Sequence, residues 1–424
     1  MRFCYKLCVL FLFSSLFYLS ADTYSVISKA FELFRSAYEG ETGFRSLLIY
    51  PGGRLAGLNG AFTALSNDIT FLESNPAGSA TLKNTELAFF HNAWIADSHL
   101  DSFYYSMRTN HLGYGASLRC FYIPFTEYGS YGERLSSGYY SETFATFNIS
   151  YNLFEGCKFK GMSLGASLKG GVMSFPPFQG QVEVGEESST SLKKKNGIKE
   201  LSFIFLADLG MQLRWDFFKK FDSRDPNMFF GLALKNIGPP IKGNIPPSQF
   251  SCGFAYQPIK ILTFTFDAFF PINILNVKRS GKPFFSTGMM FSIGKYFNIL
   301  SGLAVKGGNP SFTFGGELNF SKIQINANYT LDLSTQSTAL NHIILGMKII
   351  LGDRGRAARE EKIERMYIEG LRLYEQKKYD EAIKVWEEVL KLNSYFEPAK
   401  IGIKNAKNMH LLQMELLKLE HFEY

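Results

Sequence analysis

Between residues 85 and 351 the chain alternates apolar and polar side chains, and that period of two restricts what it can fold into. In SFTFGGELNF (311–320), Phe312, Phe314, Leu318 and Phe320 fall on one face, while Thr313, Glu317 and Asn319 fall on the other. The next segment, KIQINANYTL (322–331), sets Ile323, Ile325, Ala327, Tyr329 and Leu331 opposite Lys322, Gln324, Asn326, Asn328 and Thr330. LTFTFDAF (262–269) and LSFIFLADLGMQLRW (201–215) repeat the pattern, with Thr263, Thr265 and Asp267 on one polar face and Asp208, Gln212 and Arg214 on another. About fourteen such segments can be counted, near 85–92, 101–109, 112–123, 143–152, 161–173, 199–216, 228–236, 249–257, 261–270, 283–294, 296–305, 311–320, 322–331 and 341–351. An even number of two-faced strands suits an up-and-down antiparallel barrel in a bacterial outer membrane.

The connections sort by length in the same sense. With the first strand running outward, the outer loops are 93–100, 124–142, 174–198, 237–248, 271–282, 306–310 and 332–340, most of them long. The turns at 110–111, 258–260, 295 and 321 are tight, and only 153–160 and 217–227 on that side are longer. Long outer loops and short periplasmic turns are the expected asymmetry of a bacterial barrel. A soluble β-sandwich is the competing architecture. With 42 Phe and 22 Tyr it would have to bury an aromatic face on strand after strand, and such a face needs lipid or a second sheet.

Arg2 and Lys6 flank the start of an apolar run, LCVLFLFSSLFYL (7–19), and Ser20-Ala21 offers small residues for cleavage, so 1–21 reads as a signal peptide. No later segment approaches the roughly 20 apolar residues of a membrane helix. Beyond the signal, Cys120, Cys157 and Cys252 are odd in number and widely scattered, which makes neither a disulfide framework nor a metal site. His91, His99, His111, His342, His410 and His421 show no metal-ligand spacing, so no metal and no cofactor is expected. The net charge of +7 is spread along the chain and gives no nucleic-acid stripe.

Ahead of the strands, LAGLNGAFTALSNDITFLESNPAGSA (55–80) is a dense run of small residues and turn formers. Gly57, Gly60, Ala61, Phe62, Asn67 and Asp68, and above all Asn75-Pro76-Ala77-Gly78 just before a fourteen-strand barrel, resemble the N-terminal hatch of the long-chain fatty-acid transporter (FadL) superfamily and its PorV-like branch. The resemblance is specific over roughly 50–110 and architectural from there to 351. It implies that 50–84 folds inside the barrel as a hatch and gates it, small residues serving close approach to the wall. Two additions flank this plan. SVISKAFELFRSAYEG (25–40) places Ile27, Phe31, Phe34 and Tyr38 on a helical stripe, so 22–49 is expected to hold an amphipathic helix and lead-in, docked on the periplasmic rim or packed with the hatch. After a polar linker at 352–363, ERMYIEGLRLYEQKKYDEAIKVWEEVLKLN resembles one tetratricopeptide repeat, with Gly370, Tyr379, Ala382 and Trp386 at its packing positions and a third amphipathic helix in 396–424. That helical domain, 364–424, is expected in the periplasm.

No motif points to catalysis. The G-x-S-x-G match Gly161-Met162-Ser163-Leu164-Gly165 lies in an alternating strand, not on a strand-to-helix turn. The run Lys193-Lys194-Lys195 reads as a solvated loop tip, and FYIPFTEYGSYGERLSSGYY (121–140) reads either as an apolar-ligand trap or as part of an interfacial aromatic girdle. Strand parity gives the lumen-facing candidates Arg108, Asp208, Gln212, Arg214, Asp267, Glu317 and Lys348, with Asn319, Gln324 and Asn326, all expected to be solvated. The resemblance implies passive outer-membrane transport of hydrophobic or amphipathic molecules such as long-chain fatty acids. The alternative is a PorV-like scaffold whose tail recruits a periplasmic protein.

Overall fold

The computed structural model describes residues 26, 29–35, 38, 41–129, 131–153, 159–176, 201–221, 223, 225–241, 244–333 and 341–422. The signal peptide, Cys157 and the run Lys193–Lys195 lie outside the described residues. Fourteen antiparallel strands close into one barrel in sequence order, β1 pairing with β14. They are β1 (Thr85–Ala93), β2 (His99–Thr109), β3 (Leu112–Tyr128), β4 (Arg134–Leu153), β5 (Phe159–Ser174), β6 (Leu201–Trp215), β7 (Met228–Ile237), β8 (Gln249–Ile259), β9 (Leu262–Pro271), β10 (Phe284–Ile293), β11 (Phe297–Lys306), β12 (Asn309–Asn319), β13 (Ile323–Asp332) and β14 (His342–Gly352). Each segment of alternation has become a strand, because on a pleated backbone successive side chains point to opposite faces.

Parity assigns the faces as read. Along β13 the residues Ile323, Ile325, Ala327 and Tyr329 are exposed outward, and Gln324, Asn326, Asn328 and Thr330 are buried inward. Phe314 and Leu318 on β12, Phe264 and Phe266 on β9, and Phe203 and Phe205 on β6 extend the same apolar outer surface. A globular interior is thereby turned inside out, which is stable only with hydrocarbon outside. Among the described residues no helix is long and apolar enough to cross a membrane.

The loop at 124–142 is shorter than expected, because pairing does not stop at the membrane. β3 and β4 continue through Ile123↔Tyr140 to Tyr128↔Arg134, and the Gly129 amide still donates to Glu133 O at 2.8 Å. Strands of about ten residues suffice to span a bilayer, whereas β3, β4, β5 and β6 have 17, 20, 16 and 15. One side of the barrel therefore stands up as a sheet wall beyond the rim, and its tip carries the exposed Tyr128, Tyr131 and Tyr139. At the other rim, which bears the tight turns, the chain leaves β14 and forms α-helices Arg356–Glu375, Tyr379–Leu392 and Glu397–Phe422. The polar linker is accordingly shorter than 352–363, the first helix starting at Arg356. In the helical cluster Tyr379, Ala382 and Trp386 are buried, and a Cβ on Gly370 would meet the Trp386 indole at 2.2 Å. The helices sit under the first hairpins: Arg359 Nη1 donates to Asn110 Oδ1 at 2.9 Å, and the Tyr395 ring meets His111 at 4.9 Å.

The outer face sets a test. Arg on the lipid face near the midplane costs about 2–4 kcal/mol. Phe314→Arg and Ile325→Arg are therefore expected to abolish heat-resistant migration of the folded barrel. Tyr296→Arg, at an exposed tight turn, should leave it intact.

Candidate functional site

Residues 44–82 thread through the lumen, and the sequence shows why they can. Short helices Gly53–Gly57 and Phe71–Ser74 and a 3-10 turn Pro76–Ala80 are separated by turns, so the segment folds back on itself. Gly60, at φ +90°, takes a conformation open to glycine at little cost, with the Tyr50 hydroxyl occupying the space of a Cβ. Leu55, Leu58, Phe62, Leu65, Ile69, Phe71 and Leu72 make an apolar core with Phe90, Tyr104, Ala255 and Leu300 from the wall.

The wall meets this plug with glycines. A Cβ on Gly165 would lie 2.2 Å from the Pro76 carbonyl oxygen, and one on Gly210 would lie 2.1 Å from Asn75 Oδ1. Inward Gly113, Gly231 and Gly302 likewise rest on the main chain of Ser79, Thr63 and Leu58. The small residues expected on the plug have counterparts on the strands that sequence reading did not anticipate. Asn75 Nδ2 donates to Thr63 O at 2.8 Å and to Met211 O at 2.9 Å, while its Oδ1 caps the Ala77 amide at 3.1 Å. Asn148 Nδ2 donates to Pro76 O at 2.9 Å.

Around this seat the inward charges pair with the plug. Glu317 accepts two bonds from Arg54 Nε and Nη2 at 3.0 Å and a third from Asn298 at 2.7 Å. Lys348 Nζ lies 2.8 Å from Asp68 and 3.4 Å from Glu86. Arg119 Nη1 meets Glu73 at 2.8 Å, and the Tyr104 hydroxyl donates to the same carboxylate at 3.0 Å. Asp267 accepts from the Phe62 and Thr63 amides at 3.0 and 2.7 Å. Gln212 Nε2 donates to Ala64 O at 2.6 Å. Asp208 is tied within the wall, to Lys169 at 2.6 Å and to the Asn236 amide at 2.7 Å, where β6 and β7 slip register. Arg214 donates to Asn152 at 2.5 Å.

Asp208, Gln212, Arg214, Asp267, Glu317 and Lys348 are therefore buried and bonded, not solvated, while Gln324 and Asn326 are buried and Asn319 is half-buried. Two candidates behave differently. Arg108 lies at the tight-turn rim, donating to Asn110 O at 2.6 Å, and Asn67 is exposed, offering only its carbonyl to Arg54 at 3.0 Å. Arg54, Glu73, Arg119 and Lys169 were missed. Strand parity was sufficient to find Arg119 and Lys169, whereas the plug residues Arg54 and Glu73 carried no pattern. Ser163 sits on extended β5, buried and donating to Asn152 at 3.2 Å.

Burial alone would push the Asp68 carboxyl up, but the Lys348 ammonium and the Arg54 guanidinium outweigh it and hold it at about 2. Burial likewise raises Glu73, and Arg119 with Lys169 overcomes this to keep it below the ordinary carboxylate range.

The N-terminal arm enters from the loop rim. Among the described residues the arm has a 3-10 turn at Glu32–Phe34, after which Arg35 is extended. Phe34 packs edge-on against Phe285 at 6.3 Å, and Gly43 donates to Ile245 O, so the arm crosses the end opposite the C-terminal helices. Beneath it, Leu47, Leu48, Ile49 and Tyr50 face Phe269, Phe284, Lys235 and Lys306 across a cavity of about 20 Å³. That is space for about one water. Among the described residues, it is the packing of plug against wall that fills the lumen.

A closed fourteen-strand barrel with an apolar outer wall and its own N-terminal segment seated inside defines the class: a plugged membrane β-barrel. The chain belongs to the uncharacterised protein family UPF0164, whose model matches residues 21–354. A UPF0164 protein of Treponema pallidum is 30% identical over 394 residues, covering 89% of this chain and 86% of the relative. A second from the same organism is 28% identical over 404 residues, covering 89% and 78%. Among solved structures, the Ralstonia pickettii toluene transporter TbuX aligns over 72% of this chain and 99% of its own at 12% identity and TM-score 0.45. A Pseudomonas aeruginosa FadL homologue aligns over 70% and 96% at 9% identity and TM-score 0.39.

Two tests follow from the seat. Gly165→Ala and Gly210→Ala should displace the plug and raise leak conductance in planar bilayers. Gly170→Ala, whose added Cβ would have only ordinary contact with Phe205 at 3.7 Å, should not. For the ion pairs the sign is set by lowered carboxyl values. Asp68 and Glu73 stabilise the seated plug fully above about pH 4, the ordinary carboxylate value. That contribution fades as the pH falls toward about 2, where Asp68 protonates. Acidification from neutral should raise the leak, and Asp68→Asn should show part of it already at neutral pH.

Proposed function

We propose that this protein passively carries hydrophobic or amphipathic small molecules across a bacterial outer membrane, admitting them when the plug shifts. The observation that carries this reading is the pairing of apolar and cationic groups at the closed mouth. The Phe269 and Phe284 rings stack at 4.6 Å, and Lys235 and Lys306 line the same cavity, Lys306 lying over the Phe284 ring at 5.6 Å. A polar-solute porin would keep an open lumen, whereas this one is filled by the plug. An apolar tail with one carboxylate, as in a long-chain fatty acid, matches that lining. The long-strand rim faces outward in this reading, and the C-terminal helices hang in the periplasm. Their exposed Ile368, Leu371 and Ile401 favour a second role in binding a periplasmic protein.

Native mass spectrometry of the purified barrel is the direct test. A retained fatty acid is expected, and Lys235→Gln with Lys306→Gln should weaken the carboxylate about tenfold or more while leaving its methyl ester unchanged, since a charged hydrogen bond contributes about 1.5–3 kcal/mol. Equal losses for acid and ester would remove the lysines from the headgroup site. For orientation, a thiol at Tyr131 should react with an impermeant reagent on intact cells and one at Ser394 should not.

A further inference from the structure

Phe44 is the residue at which the arm turns into the lumen, and its backbone is in the left-handed region, at φ +54° and ψ +44°. A bulky side chain enters that region only when its surroundings impose it. What holds it is a pocket. The ring is 2% exposed and packs on Phe144, Ile204 and Leu206, with Met173, Leu47 and Ile241 closing the sides. This cluster is separate from the main plug core. Inward Gly171 makes the room, since a Cβ there would lie 2.3 Å from the Phe144 ring.

The two sides of Phe44 are held very differently. Downstream, the Ser46 amide donates to Glu142 at 3.3 Å, and Arg119 Nη2 donates to Ser46 O at 2.5 Å. Upstream, the arm is tied by main-chain contacts of Thr42 and Gly43 with Ile245 and by rim contacts, Phe34 edge-on against Phe285 and Arg279 over the Tyr38 ring, none of them a buried ion pair. The arm can therefore lift at Gly43–Phe44 while the plug below stays clamped, and the strained backbone relaxes as the ring leaves.

We propose that Phe44 is a built-in occupant of a binding site for neutral, ring-sized apolar groups, displaced when such a group arrives from the loop rim. The inference rests on the transport reading and adds to it a tethered competitor at the mouth. A tethered ring acts at an effective concentration on the order of millimolar, so ligands weaker than that leave the mouth shut.

Parity supplies an internal control for the test. The apolar photoreactive probe trifluoromethyl-iodophenyl-diazirine, applied to the full chain in lipid, reaches outward Phe205 and Phe147 in every form. Labelling of inward Ile204 and Leu206, mapped by peptide mass spectrometry, is expected to rise about tenfold or more in Phe44→Ala, where the competitor is gone. The second variant pairs Thr42→Cys with Ile245→Cys to lock the arm. Ile204 should be silent when this pair is oxidised and labelled after reduction, a comparison within one folded protein. The proposal is overturned if Phe44→Ala leaves Ile204 unlabelled while Phe205 reacts normally, or if oxidised and reduced locks label Ile204 alike. Either result would leave acid-versus-ester binding standing. Loss of that binding with Ile204 labelled as expected would fault the transport reading alone.

Discussion

Everything inside this barrel depends on backbone reaching backbone. A closed sheet has no free edge, so its hydrogen bonds are spent within the wall, and a plug can be held only by side chains or by direct contact. Glycines at inward positions let the main chain of Thr63, Pro76 and Ser79 come closer to the strands than any Cβ would permit. That proximity lets the plug's Asn75 bond directly to wall main chain at Met211, and lets Asn148 and Ser150 of the wall bond directly to plug main chain. Buried peptide groups on the plug are thereby satisfied without regular secondary structure of any length.

The same closeness decides the electrostatics. Arg119, Lys348, Asp267 and Glu317 point into a space with almost no water, where an unpaired charge would cost several kcal/mol. Each is answered by a group on the plug: Glu73, Asp68, the Phe62 and Thr63 amides, and Arg54. Wall and plug are charge-matched halves, so neither is comfortable without the other. Such pairs add less to stability than their number suggests, because desolvation offsets most of the attraction. What they add is register: a plug displaced by one turn would strand several charges at once.

Much of this architecture is legible in the sequence, and the part that is not has a physical cause. Alternation revealed the strands because each is half in lipid and half not, and Asp267, Glu317 and Lys348 could be placed inward from parity alone. Arg54, the partner of Glu317, could not, since it belongs to a segment with no period, and Asp68, the partner of Lys348, stood out only as part of the hatch motif. Treating the inward groups as solvated was wrong for the same reason, because parity assigns a direction without saying what fills the space. The 124–142 stretch reads as a long outer loop in the sequence, yet above the membrane a strand is no longer required to be two-faced, and β3 and β4 stay paired there. The arm's stripe at Phe31, Phe34 and Tyr38 suggests a helix; among the described residues Lys29 and Ala30 are helical, and the rings beyond find partners at the loop rim, Phe285 and Arg279 among them.

The uneven strand lengths connect these observations to gating. β3–β6 rise beyond the bilayer on one side, and the Phe44 pocket is built from β4 and β6 with Met173 of β5 beside it. The mouth is thus apolar where the wall is tallest, while the Lys235 and Lys306 cavity lies across from it under β7–β11. Opening need not expel the plug. Its deep half, from Leu58 to Ala80, is seated on glycines all round the wall and carries the Asp68 and Glu73 pairs, so moving it whole would break most of them together. The arm upstream of Phe44 carries no such ion pair, whereas from Ser46 to Tyr50 the lead-in is already bonded to Glu142, Arg119 and Asn92 of the wall. A stepwise path, with arm first and lead-in second, breaks the fewest buried interactions at any moment.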